Sequence, residues 1–221
     1  MNKWMWRRLN SLGYGVQSPN DFYFVQHVLR EQLPYYAYTA LEEMVGQCHP
    51  DLPCYSMKLN RLLFRLTNYV HPEVIVEVGA GSSVMAMAMA CPTARCVAIT
   101  PDSMSGKALQ QLAASYPHVE VKESDEMEFF SQLLSETAHI GMLHVAHTSH
   151  YREVVEAISS HASRRTLVVI EGIKDSQEKH DWWRQLQESH LAGITYDLDT
   201  VGLLFLNHSR HKETYWINLR D

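Results

Sequence analysis

Short apolar runs that alternate with segments of helical spacing organise the sequence from residue 74 to residue 189. The runs have strand length and cover residues 74–78, 96–100, 119–123, 141–146 and 166–172. Apolar positions at helical spacing occupy residues 82–90, 104–115, 126–135, 150–161 and 176–189. Apolar strands separated by helices are typical of a parallel sheet that is covered on both faces. The pattern therefore predicts a doubly wound α/β fold.

The C-terminal part of the chain departs from this alternation. GITYDLDTVGLLFLN, which starts at residue 193, predicts two strands with a tight turn near Asp199 and Thr200, and TYWINL predicts a further strand. Strands joined by a tight turn pair antiparallel. We therefore expect a Rossmann-like, mostly parallel sheet of about seven strands that ends in an antiparallel hairpin, formed by residues 71–221.

The N-terminal part, residues 1–70, predicts a helical extension or lid. Three segments have helical spacing, namely residues 21–33, 36–47 and 57–70. Ser18-Pro19-Asn20 is a start signal for the first of them. The beginning of the chain is basic and aromatic, with Trp4, Trp6, Arg7 and Arg8. We expect this turn to pack on its own domain rather than on a membrane or RNA.

The length and charge of the chain restrict its partners. Its 221 residues are enough to bury a sizeable core, and 19 basic against 25 acidic side chains give a net charge of −6. This charge gives no overall attraction to nucleic acid or to an anionic membrane. No apolar run approaches the roughly 20 residues that cross a bilayer, and no secretory signal is apparent. We therefore expect a cytoplasmic protein with a small-molecule partner, no nucleic acid and no membrane; a homodimer is compatible with the sequence.

The cysteines do not predict a disulfide framework. Cys48, Cys54, Cys91 and Cys96 contain no CxxC pair, which favours reduced thiols. The segment CHPDLPC offers only Cys48, His49 and Cys54 as ligands, fewer than structural zinc sites generally use. We therefore predict no metal site in this segment.

The first strand runs into a glycine-rich turn, VIVEVGAGSS, at residues 74–83. Gly79 and Gly81 let the backbone turn sharply and approach a ligand, and Ser82-Ser83 opens a helix with free N–H groups. Ligands of doubly wound sheets bind beyond the carboxyl ends of the strands, where this turn lies. A cofactor site is one interpretation, and a purely steric need for glycine between strand and helix is the other.

Two classes of cofactor compete for this turn. A dinucleotide fingerprint, GxGxxG, would have a third glycine where the chain has Val84. It would also have an acidic residue at the end of the second strand, where the chain has Thr100. Glu77 in VEVGAG fits instead the E/DxGxG pattern of S-adenosylmethionine-dependent methyltransferases. The turn therefore favours S-adenosylmethionine over a dinucleotide.

The order of several segments resembles class I O-methyltransferases along nearly the whole chain. YSMKLNRLLFRLTNYVHPEVIVEVGAGSS is similar to the helix and first strand of that family. GYGVQSPNDFYFVQHVL resembles the N-terminal element of a bacterial branch of methyltransferase-like proteins. LVVIEGIKDSQEKHDWW and YDLDTVGLLFLN are similar to the segment after the fifth strand and to the closing hairpin of that branch.

The resemblance implies which residues would contact the cofactor. Its methionine end would lie on Glu77, Gly79, Ala80, Gly81 and Ser82. Its ribose would lie by Thr100 and Asp102, and its adenine by Ser124 and Asp125. These residues offer the acceptors that a ribose diol, an adenine amine and a sulfonium need. A turn at Asp102 and a helix cap at Asp125 are the alternatives that the residues leave open.

The positions that hold the metal ion in metal-dependent O-methyltransferases are altered. The resemblance implies an Asp after the fourth strand and an acidic pair after the fifth. This chain has His144 in GMLHVAHTSHY and Glu171-Gly172 in IEGI. Two of three expected carboxylates are absent, so we predict no magnesium site. A zinc site of His144, His147 and Glu171 is the alternative.

The histidines are therefore the candidates for the chemistry. His147 matches a histidine often present in the related branch and is our first choice for a general base, with His144 and Glu171 as further catalytic candidates. The sequence thus predicts S-adenosylmethionine-dependent methyl transfer to a small-molecule acceptor, on oxygen and without magnesium. The alternative is a catalytically silent relative that keeps the fold as a ligand-binding or interaction module.

Overall fold

The computed structural model describes residues 3–47, 50, 52, 55–163, 165–206 and 211–219. These residues contain the helices α1 (Lys3–Ser11), α2 (Pro19–Phe24), α3 (Ala37–Gly46), α4 (Met57–Val70), α5 (Ser83–Ala90), α6 (Ser103–Leu112), α7 (Glu126–Glu136), α8 (Tyr151–Ile158) and α9 (Gln177–Glu188). A π-helical turn, Val25–Leu29, continues α2. The strands are β1 (Val74–Val78), β2 (Arg95–Thr100), β3 (Val119–Glu123), β4 (Met142–Val145), β5 (Leu167–Glu171), β6 (Ile194–Asp197), β7 (Val201–Phe205) and β8 (Glu213–Trp216).

The strands form one sheet in the order β3-β2-β1-β4-β5-β7-β6-β8. The first five strands of this order pair parallel. β7 is antiparallel to both of its neighbours, β5 and β6, and β8 pairs parallel with β6 at the edge. The predicted mostly parallel sheet with an antiparallel C-terminal hairpin is therefore confirmed, and the predicted further strand is β8.

Helices cover both faces of the sheet because successive strand residues point to opposite sides. Ile75 belongs to an apolar cluster with Leu63 of α4 and Met85 of α5. Val76, the next residue of β1, belongs to the opposite cluster with Trp183 of α9. Strands that are buried on both faces are apolar at every position, which is why they stand out in the sequence.

The N-terminal helices are anchored to the C-terminal strands. The buried carboxylate of Asp21 accepts hydrogen bonds from the hydroxyls of Tyr196 and Tyr215, at 3.0 and 3.4 Å. Arg7 of α1 donates to the backbone carbonyl of Asp197 at 2.8 Å and pairs with its carboxylate at 2.7 Å. The beginning of the chain thus packs on its own domain, although the division of the chain at residue 71 stays a prediction.

The first predicted helix is shorter than its periodicity suggests. The spacing predicts a helix over residues 21–33, whereas α2 and its π-helical continuation end at Leu29. The reason is the side chain of Arg65, whose Nε and Nη2 donate to the carbonyls of Val28 and Leu29 at 2.8 and 3.2 Å. A side chain of α4 therefore takes the carbonyls that a longer helix would have used.

Two of the cysteines are buried and free, Cys91 and Cys96. Burial raises the pKa of the Cys96 thiol to about 12, so this thiol is uncharged and unreactive at neutral pH. Cys48, His49 and Cys54 of the CHPDLPC segment lie outside the described residues. Among the helices of the described residues, none has the length and apolar character needed to cross a membrane.

Candidate active site

Three ionisable side chains meet at the carboxyl ends of β1, β4 and β5, which are adjacent in the sheet. Glu77 of β1 lies opposite His144 of β4, and Glu171 is the last residue of β5. The exposed fractions of Glu77, His144 and Glu171 are 0%, 0% and 6%. The order of the strands therefore brings together three predicted site residues that are far apart in the sequence.

Glu77 holds the glycine turn in place. Its Oε1 accepts hydrogen bonds from the backbone N–H of Gly81 at 2.8 Å and from the hydroxyl of Ser83 at 2.9 Å. Its Oε2 lies 3.0 Å from Nδ1 of His144. Both carboxylate oxygens thus have partners, and the carboxylate fixes the backbone between β1 and α5.

His144 lies between two carboxylates. Its Nδ1 faces Oε2 of Glu77, and its Nε2 lies 2.6 Å from Oε1 of Glu171, a close ion pair without the alignment of a hydrogen bond. Burial alone would lower the pKa of the ring, but the carboxylates of Glu171 and Glu77 outweigh burial and raise the pKa to about 10. The two carboxylates thus favour the protonated form of the ring.

His147 lies over the glycine turn. Gly79 has a φ of +78°, and a Cβ on it would lie 2.6 Å from the carbonyl carbon and oxygen of His147. The exposed ring of His147 stacks on the ring of Tyr55, with centroids 5.5 Å apart and planes 15° apart. Burial raises the pKa of the Tyr55 phenol, and the nearby Glu77 and Glu171 raise it further. The stacked rings, which we name the Tyr55–His147 pair, therefore cover the turn.

The rest of the turn is buried between β2 and the segment before α4. Ala80 and Ser82 are both 2% exposed. The backbone N–H of Ala80 donates to the carbonyl of Ile99 at 3.0 Å, and the hydroxyl of Ser82 accepts from the N–H of Tyr55 at 3.4 Å. The predicted cofactor-binding backbone is thus fixed on both sides.

The residues predicted to lie by the ribose follow β2. Asp102 is exposed and accepts hydrogen bonds from the backbone N–H groups of Met104 and Ser105, at 3.2 and 3.0 Å. Hydrogen bonds from Ser105 and Met104 lower the pKa of Asp102. Thr100 is buried, and its hydroxyl accepts from the N–H of Asp102 at 3.4 Å. Asp102 is therefore the N-cap of α6, which leaves carboxylate lone pairs for a further donor.

The residues predicted to lie by the adenine follow β3. The N–H of Ser124 donates to the carbonyl of Thr100 at 3.2 Å, and the exposed Asp125 caps α7 by accepting from the N–H of Glu128 at 2.9 Å. Four residues predicted to contact the cofactor therefore lie at or just after the carboxyl ends of the adjacent strands β2 and β3, namely Thr100, Asp102, Ser124 and Asp125. Glu77 lies near the carboxyl end of the next strand, β1.

Glu126 is a residue that sequence reasoning missed. It is 5% exposed, and the hydroxyl of Thr148 in the loop after β4 donates to its carboxylate. Burial raises its pKa. An acidic residue in the first turn of a helix usually interacts with the helix dipole at the surface. No signal in the sequence therefore distinguishes Glu126 from its exposed neighbour Asp125.

The loop after β5 does not replace the lost metal ligands. Gly172 has a φ of +62°, and the carboxylate of Asp175 occupies the space that a side chain on Gly172 would need. Within the described ranges, no group of three or more His, Cys, Asp or Glu side chains has the arrangement of a metal site. His144, His147 and Glu171, the alternative zinc ligands, do not form such a group.

A cleft of about 660 Å³ opens at the same end of the sheet, and its lining includes none of Glu77, His144, His147 and Glu171. It lies between the start of α4 and the turn from β6 to β7, and its lining includes Ser56, next to Tyr55, and Lys174, which follows Glu171 by three positions. Lys174 pairs with Asp199 of the turn, and Leu59, Leu62 and Leu198 supply apolar walls. The cleft thus has the mixed polar and apolar lining of a small-molecule site.

Solved methyltransferases share this architecture. A methyltransferase from Geobacter sulfurreducens matches with a TM-score of 0.62 at 17% identity, over 78% of this chain and 91% of that chain. PaMTH1, an S-adenosylhomocysteine-bound methyltransferase from Podospora anserina, matches with 0.61 at 15% identity, over 79% and 97%. TomG, an O-methyltransferase of tomaymycin synthesis from Streptomyces achromogenes in complex with S-adenosylmethionine, matches with 0.60 at 18% identity, over 93% and 99%. No protein-family model and no curated protein match the sequence.

The strand order and these matches define the fold as that of class I methyltransferases. The antiparallel β7, inserted between β5 and β6, completes this architecture. The fold predicted from the resemblance is confirmed, and TomG shows that an O-methyltransferase is among the proteins to which nearly the whole chain is similar.

Proposed function

We propose that the protein transfers the methyl group of S-adenosylmethionine to an oxygen atom of a small-molecule acceptor, in the cytoplasm and without magnesium. The observation that carries the proposal is the glycine turn of this methyltransferase fold. There, Glu77 fixes the N–H of Gly81, and Gly79 adopts a positive φ at the carboxyl end of β1. The structural neighbours PaMTH1 and TomG, which hold S-adenosylhomocysteine and S-adenosylmethionine, support this choice of cofactor.

The donors and acceptors of the chain fit this cofactor. Glu77 and Glu171 supply negative charge near the methionine end, which carries a sulfonium and an ammonium group. The start of α5 offers backbone N–H groups for the carboxylate. Asp102 and Asp125 keep free acceptor capacity besides their roles as helix caps, for the ribose and the adenine. Since the Tyr55–His147 pair covers the turn, this pair would separate when the cofactor enters or leaves.

The bound cofactor would supply a methyl group on a positively charged sulfur, an activated donor. The protein would then contribute mainly alignment of the acceptor, and the cleft beside Lys174 is the proposed acceptor site. His147 is the proposed general base, because its ring is exposed next to the turn whereas His144 is buried. Two expectations stay predictions: that the protein binds no nucleic acid, and that it can form a homodimer.

The second candidate function is a ligand-binding module without catalysis. A specific observation favours it: the carboxylates of Asp102 and Asp125 cap helices, and the turn at Gly79 is covered by side chains of the same chain. A protein of this kind would bind S-adenosylmethionine or its product without transferring the methyl group, or would bind neither.

Calorimetric titration separates these functions. We expect chelator-treated protein to bind S-adenosylhomocysteine with micromolar affinity and not to bind NAD. We expect Asp102→Asn to weaken that binding roughly tenfold, because it removes a charged acceptor. The variant keeps its stability, because Asn is as good an N-cap as Asp. Absence of binding at millimolar ligand would refute the proposed cofactor, and binding without turnover of any acceptor would favour the silent module.

Replacing His147 tests the general base. With an acceptor found by screening hydroxylated compounds for release of S-adenosylhomocysteine, we expect His147→Ala to lower kcat by about 10²- to 10⁴-fold. Calorimetry should show little change in the affinity for S-adenosylhomocysteine. The control is His150→Ala, at the start of α8 in the same loop. Equal rates for the two variants would exclude His147 as the base.

A further inference from the structure

Two carboxylates are buried at the same place, one on each side of His144. Glu77 approaches the ring from β1 at 3.0 Å, and Glu171 approaches from β5 at 2.6 Å. Two carboxylates without hydration and without a cation would repel each other strongly. The cluster therefore needs a positive charge.

The other groups that face this cluster do not supply that charge. The ring of Tyr55 packs against His144 at a centroid distance of 6.5 Å, and its phenol is neutral because its pKa is raised. The ring of His147 stacks on the ring of Tyr55. Lys179 of α9 is attracted by Glu171, but its ammonium lies over the ring of Tyr151, 4.9 Å from the centroid. Among the described residues, His144 is the group in direct contact with both carboxylates.

With both carboxyl groups ionised, the geometry favours a protonated ring. A neutral imidazole has one N–H group and one lone pair. A neutral His144 would turn that lone pair toward a carboxylate oxygen at 3.0 Å or less, which is repulsive in a buried site. An imidazolium has a positively charged N–H group on each side, one hydrogen-bonded to Glu77 and the other ion-paired with Glu171. The raised pKa of His144, about 10, agrees with this arrangement.

We propose that His144 is a positioning residue whose protonated ring is a built-in cation, which lies between Glu77 and Glu171, reduces the repulsion of their carboxylates and so keeps the glycine turn in place. The connection to the turn is direct, because the same Glu77 carboxylate holds the N–H of Gly81 and the hydroxyl of Ser83. The effect on cofactor binding rests on the proposed function, whereas the charge of the ring does not.

The charge of the ring is measurable in the unmodified protein. Nuclear magnetic resonance of the histidine side-chain nitrogens, followed from about pH 5.5 to pH 8.5, spans the usual titration range of histidine. We expect His144 to keep two N–H groups over the whole range. Its signals are assigned by their loss in a His144→Gln variant. A ring that is neutral at pH 7 would overturn the proposal, whatever the protein binds.

Substitutions test the link to the turn. We expect His144→Gln, which removes the charge, to weaken binding of S-adenosylhomocysteine by at least roughly tenfold, as removal of supporting groups around a site typically does. The matched control is His118→Gln, because His118 is half-buried elsewhere and contacts the carbonyl of Ala88. Equal affinity in the His144→Gln variant and the control would overturn the link to the turn. If the unmodified protein binds no S-adenosylhomocysteine but keeps a charged ring, the proposed function fails while the built-in cation stands.

A third variant tests whether the cluster needs a cation. His144→Asp would place three carboxylates together, so we expect it to unfold at a lower temperature in chelator and to regain stability when manganese is added. The unmodified protein should not respond to manganese. A His144→Asp variant that is as stable in chelator as the unmodified protein would overturn the proposal, because the carboxylates would then need no cation. This variant avoids a carboxylate at Gly172, where the positive φ and Asp175 leave no room for one.

Discussion

Replacing Gly79 with alanine is expected to lower the free energy of unfolding by about 2–4 kcal/mol and to abolish binding of S-adenosylhomocysteine. A φ of +78° costs an L-residue with a Cβ about 1–2 kcal/mol. The added Cβ would also lie 2.6 Å from the carbonyl carbon and oxygen of His147. These atoms belong to the backbone, so the loop after β4 would have to move away from the turn.

The matched control for this substitution is Gly46→Ala at the end of α3. A Cβ on Gly46 meets no atom of the described structure within 4 Å. We expect this change to leave stability within about 1 kcal/mol of the unmodified protein, because alanine only restricts the unfolded chain there. Urea unfolding of both variants, followed by circular dichroism, measures the difference. Similar stabilities would show that the loops after β1 and β4 are not in contact at Gly79.

The parallel strands could be predicted because the apolar residues within each strand already indicate that the strand is buried. Four of the five runs from 74 to 172 are mostly apolar, the exception being 119–123 (VEVKE), and the observed strands differ from the predicted ones by one residue at either end or less. The end of the first helical segment was not predictable, because Arg65, from another helix, takes its last carbonyls. A pattern of apolar positions has no information about such a distant partner.

The candidate site likewise has one part that the local sequence predicts and another that depends on the order of the strands in the sheet. The glycine turn and its Glu77 form one continuous motif, so the sequence alone identified them. The contact of His144 with Glu171 depends on β4 lying between β1 and β5, which no local pattern contains. The sequence suggested a catalytic histidine there, and the structure shows a buried ring between two carboxylates. Tyr55 begins the segment YSMKLN, whose resemblance to the family gives no indication that the tyrosine ring lies over the turn.

The charge of His144 also makes the stability of the protein depend on pH. The pKa of the ring is about 10 in the folded protein and about 6.5 in an unfolded chain. The folded state therefore holds one more proton than the unfolded state between these values. The stabilisation is complete below about pH 6.5 and is lost as the pH rises through 10. Over the window from pH 7 to pH 9, the free energy of unfolding should fall by about 1.4 kcal/mol per pH unit, or about 2–3 kcal/mol in total.

Urea unfolding at several pH values from 7 to 9, with His144→Gln and His118→Gln beside the unmodified protein, isolates this effect. Lys179, whose pKa burial lowers, acts in the opposite direction, but it is present in all three proteins. His118→Gln should keep the full slope. In His144→Gln the part of the slope that the ring of His144 contributes should be absent. The same slope for both variants between pH 7 and pH 9 would mean that the ring of His144 is not the cation that these carboxylates require.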